Sequence, residues 1–254
     1  MNKISVCLET VLPDVDFYDR IKIAADLGYD GIEFWEVETK DIGRIARLSA
    51  QYNMPVVICC THEVRTIRLN QPSDVFVANI GKSIGILKEL GCRSMIALAG
   101  DLEGKADSQK NIIIENLKKV ADLLVKNDVT LNIEGLNSLV DHKGYYLDSS
   151  AVGFEMIKSA GCENIKFLYD IYHMQIMEGN IIENMTRNIS LIGHVHAAGV
   201  PGRHEPQKGE NDYKYIFGAL AEAGYTGWFG LEYFPSYDSM QSLRDVRDFL
   251  TKSI

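Results

Sequence analysis

One phrase recurs along the chain: the end of an apolar-periodic helix, a glycine, a short turn, then an apolar run of strand length. It reads "AADLGYDGIEFWE", "LKELGCRSMIALAG", "IKSAGCENIKFLYD" and "LAEAGYTGWFGLEY". A glycine just past a helix takes the left-handed conformation that closes the last turn. Gly28 and Gly91 are 63 residues apart, and so are Gly161 and Gly224. That is about twice the ~30 residues of one compact strand–helix unit, so further units must lie between. The runs "MPVVICCT", "DVTLNIEG" and "SLIGHVHA" supply them, and "NKISVCLET" opens the chain. Eight strands are expected near 3–9, 31–35, 55–61, 93–99, 130–134, 165–169, 191–196 and 228–233.

The segments between them carry helical periodicity. In the first, Phe17, Ile21, Ala24 and Leu27 repeat at three and four, which lays an apolar stripe against a sheet. Strands alternating with helices imply a parallel sheet covered by helices. Eight units in 254 residues fit an α/β fold of the (β/α)8 type, a TIM barrel. The alternative is a doubly wound open sheet, but no GxGxxG follows the first strand, which weakens a dinucleotide-binding reading. No linker divides the chain, so one domain over 1–254 is expected.

Composition narrows the partners. A net charge of −9 disfavours a non-specific nucleic-acid or anionic-membrane binder, since either needs a positive footprint. No apolar run approaches the roughly 18 residues of a membrane span, and the start lacks the apolar core and cleavage site of a signal peptide. The five cysteines are odd in number, have no CxxC spacing and mostly fall in apolar runs. Thiols so placed act as small packing groups, and a cytoplasmic location is expected. No apolar stripe is left over for a defined protein partner; a homodimer through the outer helices is retained as an expectation.

A barrel assembles its site from the C-terminal ends of its strands and the loops that follow. Strand 5 ends with Glu134, strand 6 with Asp170 followed by His173, and strand 8 with Glu232. Strand 7 carries His194 and His196, strand 2 adds Glu33 and Glu36, and strand 3 delivers His62 and Glu63. Carboxylates packed together repel unless a cation compensates, and a divalent metal is the economical one. Mixed oxygen and nitrogen donors suit Mn²⁺, Mg²⁺, Co²⁺ or Zn²⁺. Taken singly, each acid could instead cap a helix or pair with an arginine, and His194 or His196 could be a satisfied core histidine. Alternation puts both histidines on one face and Val195 on the other. His196, nearer the strand end, is the ligand candidate and His194 the structural one. The long loop "AAGVPGRHEPQKGENDYKY" after strand 7 reads as a substrate clamp or partial lid, with Arg203 able to grip a carboxylate or donate to hydroxyls; the same charges could also form only a solvated loop.

Through "YDIYHMQIMEG", "IGHVHAAGVPGRHEPQKGENDY" and "GYTGWFGLEY" the chain resembles the hydroxypyruvate isomerase family, within the xylose-isomerase-like barrels that include the ketose 3-epimerases. The resemblance runs through nearly all of the sequence. It implies one divalent ion, Mn or Mg ahead of Co or Zn, held by Glu134, Asp170, His196 and Glu232. It also implies that Glu134 and Glu232 exchange protons, and that His173 and Arg203, with Glu205 behind them, contact a small hydroxy-carbonyl or monosaccharide substrate; His62, delivered by strand 3, is expected to join them. Some hydroxypyruvate isomerases carry glutamine at the position of His196, where the epimerases carry histidine. Many relatives have proline where this chain has Gly135.

The activity so implied is an isomerisation through an enediolate. One glutamate removes a carbon-bound proton, and one returns it to the neighbouring carbon or to the opposite face of the same one. Hydroxypyruvate-to-tartronate-semialdehyde isomerisation is expected first, with a ketose 3-epimerase or 2-oxo-tetronate isomerase as the alternative. An inosose dehydratase-like lyase or a non-catalytic sugar-binding barrel stands behind these. A metal-dependent abasic-site endonuclease would call for more than six histidines and a basic channel.

Overall fold

The apolar runs become strands, and the strands close on themselves. The computed structural model describes residues 3–251. Its strands are β1 (Lys3–Cys7), β2 (Gly31–Phe34), β3 (Val56–Cys60), β4 (Ser94–Leu98), β5 (Thr130–Glu134), β6 (Ile165–Asp170), β7 (Ile192–Ala197) and β8 (Trp228–Leu231). Each pairs in parallel with the next, and β8 pairs with β1, so the sheet is a closed barrel wrapped by helices. Closure leaves no sheet edge unpaired. Each expected strand is present, with ends shifted by a residue or two. The first stops at Cys7 because Leu8–Val11 turns helical, and β8 stops at Leu231, leaving Glu232 just beyond the ladder.

The recurring glycines do what their position predicts. Gly28, Gly91, Gly161 and Gly224 have φ of 78°, 66°, 65° and 94°. Two of the concealed units end in the same conformation on other residues. Helix Ile42–Tyr52 closes on Asn53 (φ 53°) and helix Ala106–Asn127 on Asp128 (φ 54°). Asn and Asp tolerate this region better than most side chains. The repeat is therefore more regular in backbone than in letters.

Packing divides the apolar residues into two bodies. The larger lies between the barrel's outer face and the helices, and includes Val195. The smaller lies inside the barrel and consists of Ile58, Cys60, Val64, Ile96 and Leu168. Much of the remaining interior is polar and buried: Ser5, Glu33, Asn132, His194 and His196. Register sets Asp170 beside His196 and His196 beside Gly230 at the C-terminal end. The described cysteines are all free, and four of the five are buried. Among the described residues no helix is long and apolar enough to cross a membrane.

Candidate active site

Glu134 and Asp170 close their strands, His196 stands one residue before the end of β7, and Glu232 follows β8. One ligand atom from each lies within 4.8 Å of the others, and all four residues are buried. Nδ1 of His196 is 3.3 Å from Oε2 of Glu232 and 3.6 Å from Oε1 of Glu134, and it has no hydrogen-bond partner. Burial pushes the Asp170 carboxyl up to about 7, with Glu232 and Glu134 adding to the rise and Arg203 opposing it. Burial also acts on Glu232, but Arg203 and His196 hold it well below the ordinary carboxylate range. The imidazole of His196 is disfavoured as a cation by burial, yet Glu232 and Glu33 raise its pKa well above the ordinary value.

Three carboxylates and an unpartnered imidazole nitrogen converging within one coordination sphere fit a divalent cation. Cys60 lines the same cavity but is not among the converging ligand atoms, so the donor set is oxygen and nitrogen. Glu33, His194 and His196 form a second group of potential ligands, sharing His196 with the first.

The loop after β7 delivers Arg203. This residue takes a left-handed φ of 56°, and its carbonyl accepts the Phe234 N–H at 2.8 Å. Its guanidinium donates to Oε2 of Glu232 and reaches Oδ2 of Asp170 at 3.4 Å. Burial works against the Arg203 charge, and Glu232 and Asp170 more than restore it. From the opposite wall Trp35 donates its indole N–H to Oε1 of Glu232 at 2.6 Å. Both oxygens of Glu232 are thereby held.

His173 sits in the first turn of helix Ile171–Met177, whose N-cap is Asp170, with the carboxylate accepting the His173 N–H at 3.3 Å. Its Nδ1 faces the Asn137 backbone N–H at 3.2 Å and the Asn137 Nδ2 at 2.6 Å. Oδ1 of Asn137 accepts the N–H groups of Val140 and Asp141, which fixes the amide the right way round. Nδ1 is therefore the acceptor and Nε2 carries the proton. That Nε2 is buried without a hydrogen-bond partner. Burial and Arg203 lower the His173 pKa, so the ring is a neutral donor.

The site opens into a cavity of about 120 Å³. Glu134, His173, Arg203 and Glu232 form its polar wall, with His142 beside them; Trp35, Val64, Leu98 and Leu136 form its apolar wall. Glu36 pairs with Arg65 at its rim.

Two residues expected to touch substrate stand elsewhere. His62 does not line the cavity; its backbone is tied to Ser83 and Asn79, and its Nδ1 is 3.4 Å from Glu63. Glu205 is fully buried, and its carboxylate accepts from the Ser236 N–H, the Ser236 hydroxyl and the Ser242 hydroxyl at 2.9, 2.7 and 2.8 Å. It braces the Arg203 loop to the segment after β8 and has no oxygen to spare for a substrate. Conversely, Trp35, Asn137 and His142 were not singled out by sequence. Trp35 stands two residues past Glu33 and one past the end of β2, and that even spacing is the signal that could have pointed it inward.

Known proteins resemble the chain in both sequence and fold. The sequence model described as xylose isomerase-like TIM barrel matches residues 21–253. The hydroxypyruvate isomerase of Escherichia coli is 31% identical over 253 residues, covering 96% of this chain and 98% of that one. The 2-oxo-tetronate isomerase of Cupriavidus necator is 32% identical, covering 92% and 93%. The crystal structure of an AP endonuclease, family 2, from Brucella melitensis superposes with a TM-score of 0.87 at 28% identity, covering 96% and 97%. Matched over nearly its whole length by fold and by sequence, the chain belongs to the xylose isomerase-like TIM-barrel family.

Proposed function

We propose that the protein is a metal-dependent isomerase of a small α-hydroxy carbonyl compound, hydroxypyruvate first among the candidates. The observation that carries this is the pair Glu134 and Glu232, both lining one cavity and both drawn to the same unpartnered nitrogen of His196. The names of the relatives, hydroxypyruvate isomerase and 2-oxo-tetronate isomerase, support a short substrate of this kind.

Glu134, Asp170, His196 and Glu232 would hold the ion, Mn²⁺ or Mg²⁺ by their mainly oxygen donors. When bound, such a cation would supply positive charge opposite the oxygen that gains negative charge during proton removal. Glu232, clamped by Trp35 and Arg203, is fixed in place as a carboxylate. Glu134 is held more loosely and is the glutamate assigned here to collect the carbon-bound proton. His173 offers its Nε2–H to a substrate oxygen, and Arg203 holds the substrate's polar end against the rim. The apolar wall of Trp35, Val64, Leu98 and Leu136 keeps water from the reacting carbon.

Return of the proton to the adjacent carbon gives isomerisation, and return to the other face of the same carbon gives epimerisation. Both glutamates reach one cavity, which keeps a ketose 3-epimerase as the second reading. Incubation with hydroxypyruvate, tartronate semialdehyde and C4–C6 ketoses in D₂O with Mn²⁺ or Mg²⁺ separates them by proton NMR. Deuterium uptake with a rearranged carbonyl supports the first reading, and uptake with inverted configuration the second. No uptake from any compound sinks both.

A further inference from the structure

Glu33 is an acid the proposed reaction does not use. It lies on β2 inside the barrel and is 2% exposed. Its Oε2 faces Nε2 of His196 at 2.8 Å, and its Oε1 faces Nε2 of His194 at 2.9 Å and accepts from Ser5 Oγ. We infer that Glu33 is a positioning residue: by taking the Nε2 side of His196 it turns the opposite nitrogen, Nδ1, toward Glu134 and Glu232.

The geometry leaves His196 one orientation. A carboxylate can only accept, so the nitrogen against it must carry the hydrogen. In the neutral ring that a metal ligand has to be, the lone pair then belongs to Nδ1, the nitrogen that has no hydrogen-bond partner and points into the carboxylate cluster. Imidazole ligands are commonly oriented in this way by a carboxylate on their far side. The barrel also makes room for the arrangement. A Cβ on Gly230 would stand 2.5 Å from Oε1 of Glu33 and 2.7 Å from Cδ2 of His196, so any larger residue there would displace one or both. The two imidazole rings meet at 90° with centroids 5.0 Å apart, each presenting its Nε2 to a different oxygen of Glu33. Glu33, His194 and His196 thus read as a hydrogen-bonded support beneath the first group of ligands, and not as a second metal site.

The inference rests on the reading of the four-residue cluster as a metal site, but not on the reaction performed there. Its test is Mn²⁺ titration of the parent, Glu33→Ala and Gly230→Ala, with bound ion followed by electron paramagnetic resonance. Histidine ¹⁵N spectra of the Mg²⁺-loaded proteins report which nitrogen of His196 carries hydrogen. Expected are one ion per parent chain, affinity about 10–100-fold weaker in Glu33→Ala, and loss of the fixed Nε2–H signal of His196. Gly230→Ala retains every polar group but crowds both Glu33 and the His196 ring. If Glu33→Ala does not fold, threefold or greater weakening together with loss of the fixed Nε2–H signal of His196 supports the inference, and weakening with that signal intact overturns it. Affinity within twofold of the parent in every folded variant overturns it. Two ions per parent chain also overturn it, by making Glu33 a ligand. A parent that binds Mn²⁺ but exchanges no substrate proton sinks the proposed reaction and leaves the role of Glu33 standing.

Discussion

Trp35 and Glu232 meet across the barrel mouth, the indole N–H donating to Oε1 at 2.6 Å while Arg203 takes the other oxygen. A carboxylate held from both sides has one orientation. Trp35→Phe keeps an aromatic wall and removes only the donor. A hydrogen bond to a charged group contributes about 1.5–3 kcal/mol, so kcat/KM should fall at least tenfold with melting temperature little changed. Steady-state kinetics at saturating Mn²⁺ checks this; activity within twofold of the parent would show that Arg203 alone orients Glu232.

Asn137 determines which nitrogen His173 offers to the cavity. Asn137→Ala leaves the backbone N–H on Nδ1 and should lower kcat/KM about fivefold to twentyfold, the equivalent of roughly 1–1.8 kcal/mol. Asn137→Asp sets an acceptor against Nδ1, drives the proton onto that nitrogen and removes the Nε2–H donor. It should be the more damaging of the two despite its closer shape. Bound Mn²⁺ should stay at parent level in both, since neither touches a ligand. The reverse order of damage would sink the tautomer assignment.

What the sequence made legible, and what it did not, divides along physical lines. The barrel was readable because eight apolar runs are locally encoded and because helix stops use Gly, Asn or Asp for one backbone conformation. Glu134, Asp170, His196 and Glu232 were readable because a parallel barrel gathers its strand ends, so position along the chain becomes position in space. Asn137 and His142 lie in the irregular segment after β5, which has no periodicity to say where a side chain points. Glu205 misled for a related reason. A glutamate two residues from Arg203 looks like part of the same clamp, but Ser236 and Ser242, more than thirty residues on, take up its oxygens.

Arg203 is a cation paired with the proposed ligand carboxylates of Asp170 and Glu232. Its removal leaves buried acids facing one another, which favours any positive ion that can enter. Arg203→Ala should therefore bind Mn²⁺ at least as tightly as the parent while KM rises by tenfold or more. Calorimetric titration and kinetics on one preparation separate the two effects. Weaker metal binding would mean that the guanidinium organises the ligands and does not merely neighbour them.

Glu205 gives the fold an acid-sensitive brace. Burial raises its carboxyl pKa, but the Ser236 N–H and the hydroxyls of Ser236 and Ser242 outweigh that and hold it down at about 2. An unfolded glutamate titrates near 4.3. Because the folded value is the lower one, the stabilisation is fully present above the unfolded pKa and is lost as pH falls from there toward 2, amounting to about 3 kcal/mol in all. Glu205→Gln cannot make this contribution, since a neutral amide offers one acceptor oxygen where the carboxylate offers two. Urea unfolding of both proteins between pH 6 and pH 2.5 should show the parent ahead at pH 6 and the gap narrowing below about pH 4.5. The Arg203 loop is tied to the same segment through the Phe234 N–H, so Glu205→Gln should also raise KM at neutral pH. Parallel stability curves across the whole range would show that Glu205 carries no net stabilising charge, and an unchanged KM would show that its brace does not reach Arg203.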